Sequence, residues 1–271
     1  MFIHQYINPV IAQIGPFTIT WYGLSYAAGI LFGIFYLNKI VNKYKNKLDI
    51  LLSSQNIDNL ATYVIIGIIL GGRIGYVLFY NYEYYINNPL DIVKTYEGGM
   101  SFHGALIGYV IACLIFAKGK KDLALNIYDL SAICAPIGIF FGRCANFINA
   151  ELYGKKTDIF IGVIFPGSDY KPRHPSQLYE AFFEGIILFI ILNIIAIKYE
   201  KIKYRGYSSG IFLILYSFFR FNIEFFREPD SHIGYIINYF SMGQILSLPM
   251  LLIGIYLTAN SYSKSRKNKY D

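Results

Sequence analysis

Long apolar runs alternate with short, polar and mostly basic stretches along this chain. Seven runs lie near the roughly 20 residues that a helix needs to cross a bilayer. They cover 18–38, 58–80, 99–117, 127–144, 178–197, 207–223 and 240–260. The pattern predicts an all-α polytopic membrane protein with about seven transmembrane helices. Small residues recur four apart in several runs, at Gly29/Gly33, Gly67/Gly71/Gly75, Gly104/Gly108 and Gly138/Gly142. That spacing lets helix backbones approach closely in lipid.

Composition removes the soluble alternative. Hydrophobic residues make up 55% of the 271 positions and charged residues only 15%, against about 45–50% and about 25% in a soluble domain. Mean hydropathy is +0.41. Tyrosines such as Tyr80, Tyr82, Tyr84 and Tyr85 gather where runs end, as in an interfacial belt. The N-terminus shows no charged leader and no early cleavage site, so the first long run is expected to stay in the mature protein.

The net charge of +7 invites a nucleic-acid partner, but the basic residues fall in short blocks between apolar runs. Fifteen of them, Lys39, Lys43, Lys45, Lys47, Lys118, Lys120, Lys121, Lys198, Lys201, Lys203, Arg205, Lys264, Arg266, Lys267 and Lys269, fall on one side of the alternation. Six fall on the other: Lys94, Lys155, Lys156, Lys171, Arg173 and Arg227. The positive-inside rule then puts the N-terminus outside and the C-terminus in the cytoplasm, with no role for nucleic acid. The chain reads as a single transmembrane domain, 1–271, in which 145–177 forms a small ordered external subdomain. Cys113, Cys134 and Cys144 show neither metal-ligand spacing nor a disulfide framework, and are expected to pack as small hydrophobes.

Charge inside a bilayer costs about 2.5–3.5 kcal/mol per arginine on insertion scales, which makes intramembrane polar residues functional candidates. Arg73 follows Gly71-Gly72. Arg143 is followed by Asn146, Asn149 and Glu151. A planar guanidinium fork fits phosphate oxygens, and asparagines can orient a glycerol or an amide. Tyr216, Arg220, Glu224 and Arg227 are spaced to form one polar helix stripe among phenylalanines. Two arginines for one carboxylate leave a spare positive fork there, which favours an anionic ligand over a purely structural ion-pair ladder. His103, at the start of the third run, is suited to proton exchange near neutral pH. Ser101 is two residues away and does not share its helix face, which weakens a serine–histidine hydrolase. Tyr26 is a weaker candidate. His174-Pro175-Ser176-Gln177-Leu178-Tyr179-Glu180 reads as a helix start, with Ser176 suited to the N-cap or first turn. A secondary transporter would also bury charge, but the seven runs show no two related halves.

Several segments, in order, resemble the bacterial prolipoprotein diacylglyceryl transferases. They are Trp21-Tyr22-Gly23-Leu24, Gly71-Gly72-Arg73-Ile74-Gly75-Tyr76, Gly98 to Gly104, Gly142-Arg143 to Glu151 with Gly154, His174 to Glu180, and Arg220 to Asp230. The sequence departs from the family at Cys144-Ala145 and Ala150, which leaves the polar side chains intact. The resemblance implies transfer of the diacylglyceryl group of phosphatidylglycerol to the lipobox cysteine of a prolipoprotein signal peptide. A thioether forms and glycerol phosphate leaves, as the first step of bacterial lipoprotein maturation at the cell inner membrane, with the site toward the outer leaflet. No metal and no other cofactor is implied. By this resemblance Arg143 binds the phosphate, Arg220, oriented by Glu224, is the second cation, and His103 serves the thiol as base or positioning group. Tyr26, Arg73, Asn146, Glu151, Gly154, Tyr216 and Arg227 complete the substrate pocket, with Gly154 expected to allow a special backbone turn.

Overall fold

A computed structural model describes residues 2–15, 17–95, 98–229, 234–236 and 239–267. Asp230, which ends one of the recognised stretches, and Lys269 of the basic tail lie outside the described residues. Each of the seven predicted runs falls on a helix. These are α1 (Trp21–Tyr44), α2 (Ile57–Phe79), α4 (Phe102–Phe116), α5 (Lys121–Ile148), α6 (Ser176–Lys198), α7 (Tyr207–Ile223) and α8 (Met242–Lys267). The short α3 (Tyr82–Asn87) was not predicted. Five helices, α1, α5, α6, α8 and α2 with its leading turn, are long and apolar enough to cross a membrane, and α4 is apolar but shorter. The chain is therefore a predominantly helical, polytopic membrane protein.

The all-α expectation needs one correction. Short strands occur between the helices: β1 (Phe2–Ile3), β2 (Val10–Ile14), β3 (Phe17–Thr20), β4 (Val163–Ile164), β5 (Tyr235–Ile236) and β6 (Phe240–Ser241). The strands β2–β3 and β5–β6 pair antiparallel, while β1 pairs with β4 in parallel. Backbone outside a helix still has to satisfy its N–H and C=O groups, and these strands do so.

The chain packs as two compact units, one of Met1–Lys39 with Asp129–Asp271 and one of Ile40–Tyr128. In the second unit α2 and α4 meet along their glycines. A Cβ added at Gly67 would sit 2.6 Å from the Gly108 carbonyl oxygen, and one at Gly75 would sit 2.8 Å from Gly104 Cα. In the first unit a Cβ at Gly29 would lie 2.9 Å from Gly138 Cα, and Gly210 and Gly254 crowd each other on α7 and α8. Gly33 and Gly142 face open space, so the four-residue spacing overstated the contact at those two positions.

Two buried polar side chains hold helix ends in place. Asn126 Oδ1 accepts from the Leu51 and Leu52 amides at 2.9 and 3.3 Å, which fixes the loop that precedes α2. Asp129 accepts from the Gly206 and Ser209 amides at 2.6 and 2.8 Å, and so caps the start of α7 from α5. Both satisfy amides that a helix start or loop leaves without partners.

The glycine contact makes a sharp prediction. Gly67→Val forces the α2 and α4 backbones apart and should destabilise the detergent-solubilised protein by about 1–3 kcal/mol. Gly33→Ala has room and should change stability by less than about 0.5 kcal/mol. Thermal unfolding of the two variants beside wild type checks both. Equal stability of Gly67→Val and wild type would refute the close approach.

Candidate active site

Three helices of the first unit bring three arginines and three glutamates together. The helix α6 begins as an ordinary helix at Ser176–Glu180 and widens into a π-helix over Ala181–Ile187. Such wide turns are rare and cluster at functional sites. Here the wide turn directs Glu180 and Glu184 toward the same arginine on α7. Arg220 Nη1 is 2.7 Å from Glu180 Oε1 and 3.9 Å from Glu184 Oε1. Its Nη2 is 2.6 Å from Glu224 Oε1, one helical turn further along. Arg143, on the last turns of α5, places Nε 2.8 Å from Glu180 Oε2. That contact is an ion pair out of line for a hydrogen bond, because Glu180 Oε2 accepts none. Arg227 Nη1 lies 3.3 Å from Glu224 Oε1 and 3.8 Å from Glu180 Oε1.

Glu180 therefore bridges Arg143 and Arg220 from a side chain with no solvent exposure. Its position corrects the reading of two arginines sharing one carboxylate. Glu180 and Glu184 come from a different helix, so the Arg220–Glu224–Arg227 stripe is not in positive excess by count. The signal was in the sequence: two acids inside the fifth apolar run are as costly as the arginines in the others. Reading His174 to Glu180 only as a helix start hid it. The N-cap position itself belongs to Pro175, and Ser176 donates its hydroxyl to the Leu152 carbonyl at 2.9 Å.

A polar chain leads away from this cluster. Arg143 Nη1 donates to Asn146 Oδ1 at 3.3 Å, and Asn146 Nδ2 donates to Glu151 Oε1 at 2.8 Å. Gln177 Nε2 donates to the Glu151 carbonyl at 2.6 Å and so pins that loop to α6. Tyr26, on α1, is exposed, and its hydroxyl is 3.3 Å from that of Tyr22, with Arg143 and Glu151 as charged neighbours. Tyr216, on α7, has Glu184, Arg220, Arg143 and Glu180 around it. Tyr26, Arg143, Asn146, Glu151, Tyr216, Arg220, Glu224 and Arg227 thus form one connected set within the first unit. Arg143 Nη2 has no hydrogen-bond partner among the described residues, and the side chain is 20% exposed. The arrangement can present a guanidinium edge to an anion from an otherwise buried cluster.

Gly154 needs a different explanation from the one expected. Its φ is not positive. A Cβ there would lie 2.7 Å from His174 Cβ and 2.8 Å from the His174 carbonyl oxygen, and would also strike the Phe226 carbonyl. Glycine is required because three strands of chain meet, not because the turn is left-handed. The Gly154 amide donates to the His174 carbonyl at 2.8 Å, and Gly154 also pairs with Arg227, just past the end of α7. Further polar contacts cross this loop. Lys156 reaches Asp169 at 2.5 Å and Arg173 reaches it at 3.3 Å. Hydrogen bonding from Lys156 and the nearby positive charge hold the Asp169 carboxyl down to about 2.

His103 and Arg73 belong to the second unit. Arg73 is buried, and all five of its N–H groups meet carbonyl oxygens. Nε donates to Ile92, Nη1 to Gly98 and Gly99, and Nη2 to Asp91 and Lys94. The guanidinium also covers the Tyr85 ring. Gly98 and Gly99 take positive φ values of 89° and 78°, which turns their carbonyls onto Arg73. Arg73 thus has no donor left over and acts on the segment leading to His103. His103 is exposed on the first turn of α4. Ser101 is buried as the N-cap of α4, its oxygen accepting from the Gly104 amide at 3.2 Å. That use of Ser101 counts against a serine nucleophile.

Comparison with known proteins identifies the family. The family model for prolipoprotein diacylglyceryl transferase matches residues 9–260. The phosphatidylglycerol–prolipoprotein diacylglyceryl transferase of Rickettsia bellii is 54% identical over 259 residues, covering 96% of this chain and 97% of that protein. The enzyme of the same name from Rickettsia typhi is 55% identical over 258 residues, covering 95% and 98%. That from Rickettsia canadensis is 52% identical over 258 residues. Matches of this extent cover nearly the whole chain, which belongs to the prolipoprotein diacylglyceryl transferase family and is a transferase.

Proposed function

We propose that this protein moves the diacylglyceryl group of phosphatidylglycerol onto the lipobox cysteine thiol in the signal peptide of a prolipoprotein. The new bond is a thioether between the cysteine sulfur and a glycerol carbon. The bond that breaks joins that carbon to a phosphate oxygen, which keeps the electron pair and leaves as glycerol phosphate. The thiol proton has to be removed, since the thiolate is the nucleophile. His103 is the side chain we assign to that step or to placing the thiol, with proton capture by the departing phosphate as the second route. No metal and no other cofactor enters this scheme.

The observation that carries the reading is the unfilled edge of Arg143 beside a cluster of fixed charge. Glu180 and Asn146 hold the guanidinium in place before substrate arrives. Donors fixed in advance stabilise charge that grows on a leaving phosphate without reorganising at the moment of reaction. Arg220, held by Glu180 and Glu224, supplies the second cation. Tyr26, Asn146, Glu151, Tyr216, Glu224 and Arg227 shape the headgroup pocket, and Gly154 keeps its wall thin. Arg73 contributes through the His103 segment.

The same reading places the protein in the bacterial inner membrane with seven crossings, acting as one catalytic domain. The N-terminus and the loop at 145–177 are outside, the site opens toward the outer leaflet, and the C-terminus is cytoplasmic. Lys39 and Lys43 extend α1 beyond its apolar run, as cytoplasmic lysines that snorkel do.

Three outcomes follow. Topology reporters fused at residues 45, 120 and 203 should read cytoplasmic and those at 90 and 165 external; an external signal at 120 or 203 breaks the seven-crossing arrangement. Arg143→Ala should lower transfer to a lipobox peptide by roughly 100- to 1,000-fold, the usual cost of one preorganised donor. Arg143→Lys should fall far closer to Ala than to wild type, because lysine cannot reproduce the planar fork. Near-normal turnover by folded, inserted Arg143→Lys would move the phosphate contact to Arg220. Finally, replacing Cys113, Cys134 and Cys144 together by Ala should leave most activity. Abolished turnover in a folded triple variant would mean that the protein itself supplies a thiol.

A further inference from the structure

Glu224 joins the arginine cluster to a fourth helix. Its Oε1 is shared by Arg220 Nη2 at 2.6 Å and Arg227 Nη1 at 3.3 Å. Its Oε2 accepts the Ser241 hydroxyl at 2.6 Å. Both side chains are buried. Ser241 immediately precedes α8 and caps it. Its hydroxyl oxygen accepts from the Gln244 amide at 3.2 Å, and the Gln244 side chain accepts from the Ser241 amide in return at 3.0 Å. This reciprocal pair is a capping box. It leaves the one hydroxyl proton of Ser241 for Glu224.

Gly243 marks the same contact independently. A Cβ on Gly243 would lie 2.6 Å from Glu224 Cδ and 2.6 Å from its Oε1. The carboxylate therefore rests on the first turn of α8, in space that a side chain at 243 would fill. A helix start carries partial positive charge and favours an anion there. The contact matters because a glutamate does not fix its own carboxylate. Its last torsion is broad and roughly two-fold. Two arginines on one oxygen leave the carboxylate plane free to turn, and a bond on the other oxygen stops it.

We propose that the start of α8 is a socket for Glu224, in which Ser241 and Gly243 are positioning residues for the transfer reaction. Ser241 holds Oε2, Gly243 leaves room for the carboxylate, and Oε1 is thereby aimed at Arg220. The proposal rests on the reading that Arg220 is the second cation on a departing lipid phosphate. Neither Ser241 nor Gly243 touches the reacting atoms, and both act through Glu224 and then Arg220. Gln244 shares the helix start but, among the described residues, makes no hydrogen bond to Glu224. It separates the two duties of the Ser241 hydroxyl.

The test uses the full-length protein in nanodiscs of phosphatidylglycerol, with a lipobox peptide as acceptor. Ser241→Ala should lower kcat by about tenfold or more, the usual weight of a hydrogen bond to a charged group. The KM for phosphatidylglycerol should change by less than about twofold, because donors aimed at a leaving phosphate act on turnover. Ser241→Thr keeps the hydroxyl and should stay within about threefold of wild type. Gln244→Ala weakens the same helix start and should melt earlier, yet keep kcat within about threefold. Infrared spectra give a readout that needs no turnover. The carboxylate band that Glu224→Gln removes should shift in Ser241→Ala and stay in place in Gln244→Ala. Equal kcat losses in Ser241→Ala and Gln244→Ala, a loss carried by KM, or an unshifted band overturns the proposal. If Ser241→Ala does not fold, Gly243→Ala decides, since it keeps the hydroxyl and displaces the carboxylate. Its kcat should fall by about tenfold, and a normal kcat in the folded variant overturns the proposal. If wild type itself transfers no lipid, the proposed reaction fails, and the infrared band alone decides whether Ser241 holds Glu224.

Discussion

An arginine buried among apolar helices has to find counter-charge or hydrogen-bond acceptors within reach of its own side chain. The first unit meets that demand at Glu180. This one carboxylate draws Arg143 of α5 and Arg220 of α7 onto α6, and so fixes three helices by charge where lipid-facing side chains offer no hydrophobic preference for one helix over another. Removing one member would strand the others, which is the costly way to break a buried ion pair. The same contact sets the guanidinium of Arg143 before any ligand arrives. Helix packing and, in the proposed function, substrate recognition are served by the same interaction.

The second unit solves a similar problem with backbone. Arg73 is also buried, yet it makes no ion pair among the described residues. Five carbonyl oxygens, several aimed inward by the positive φ of Gly98 and Gly99, take its five protons. Dipoles in place of a counter-ion leave the charge itself uncancelled but fully hydrogen-bonded. The result ties Asp91–Lys94 and Gly98–Gly99 to one side chain ahead of α4, whose N-cap is Ser101 and whose first turn carries His103. A glycine ladder brings α2 against α4, so the platform beneath His103 is close-packed.

The transfer we propose expels a phosphate from a glycerol carbon, which needs fixed cations and a thiolate. Arg143, Arg220 and Arg227, with Asn146 and Tyr216 about them, are suited to the first requirement. Gly154 shows how tight the arrangement is. It sits where three stretches of chain converge, and only the absence of a Cβ lets the loop close against His174 and Phe226.

Much of this was legible in the order of residues alone, because a bilayer imposes one-dimensional rules. Length and apolarity located the helical stretches, with ends that differ by up to about seven residues, since a helix in lipid satisfies its backbone internally and needs no partner to exist. Arg143 and Arg220 stood out for the same reason, as charges in apolar runs, and Glu224 and Arg227 by their helical spacing from Arg220. What the order of residues could not decide was who meets whom. Glu180 and Arg220 are forty positions apart, and Arg73 finds its acceptors on a loop about twenty residues away. The role of Gly154 was misread as a matter of φ, because crowding by His174 and Phe226 exists only once distant strands converge. Periodicity is a property of a single helix and can be read from its sequence. Charge balance and steric exclusion are properties of several helices at once, and only the tertiary structure settles them.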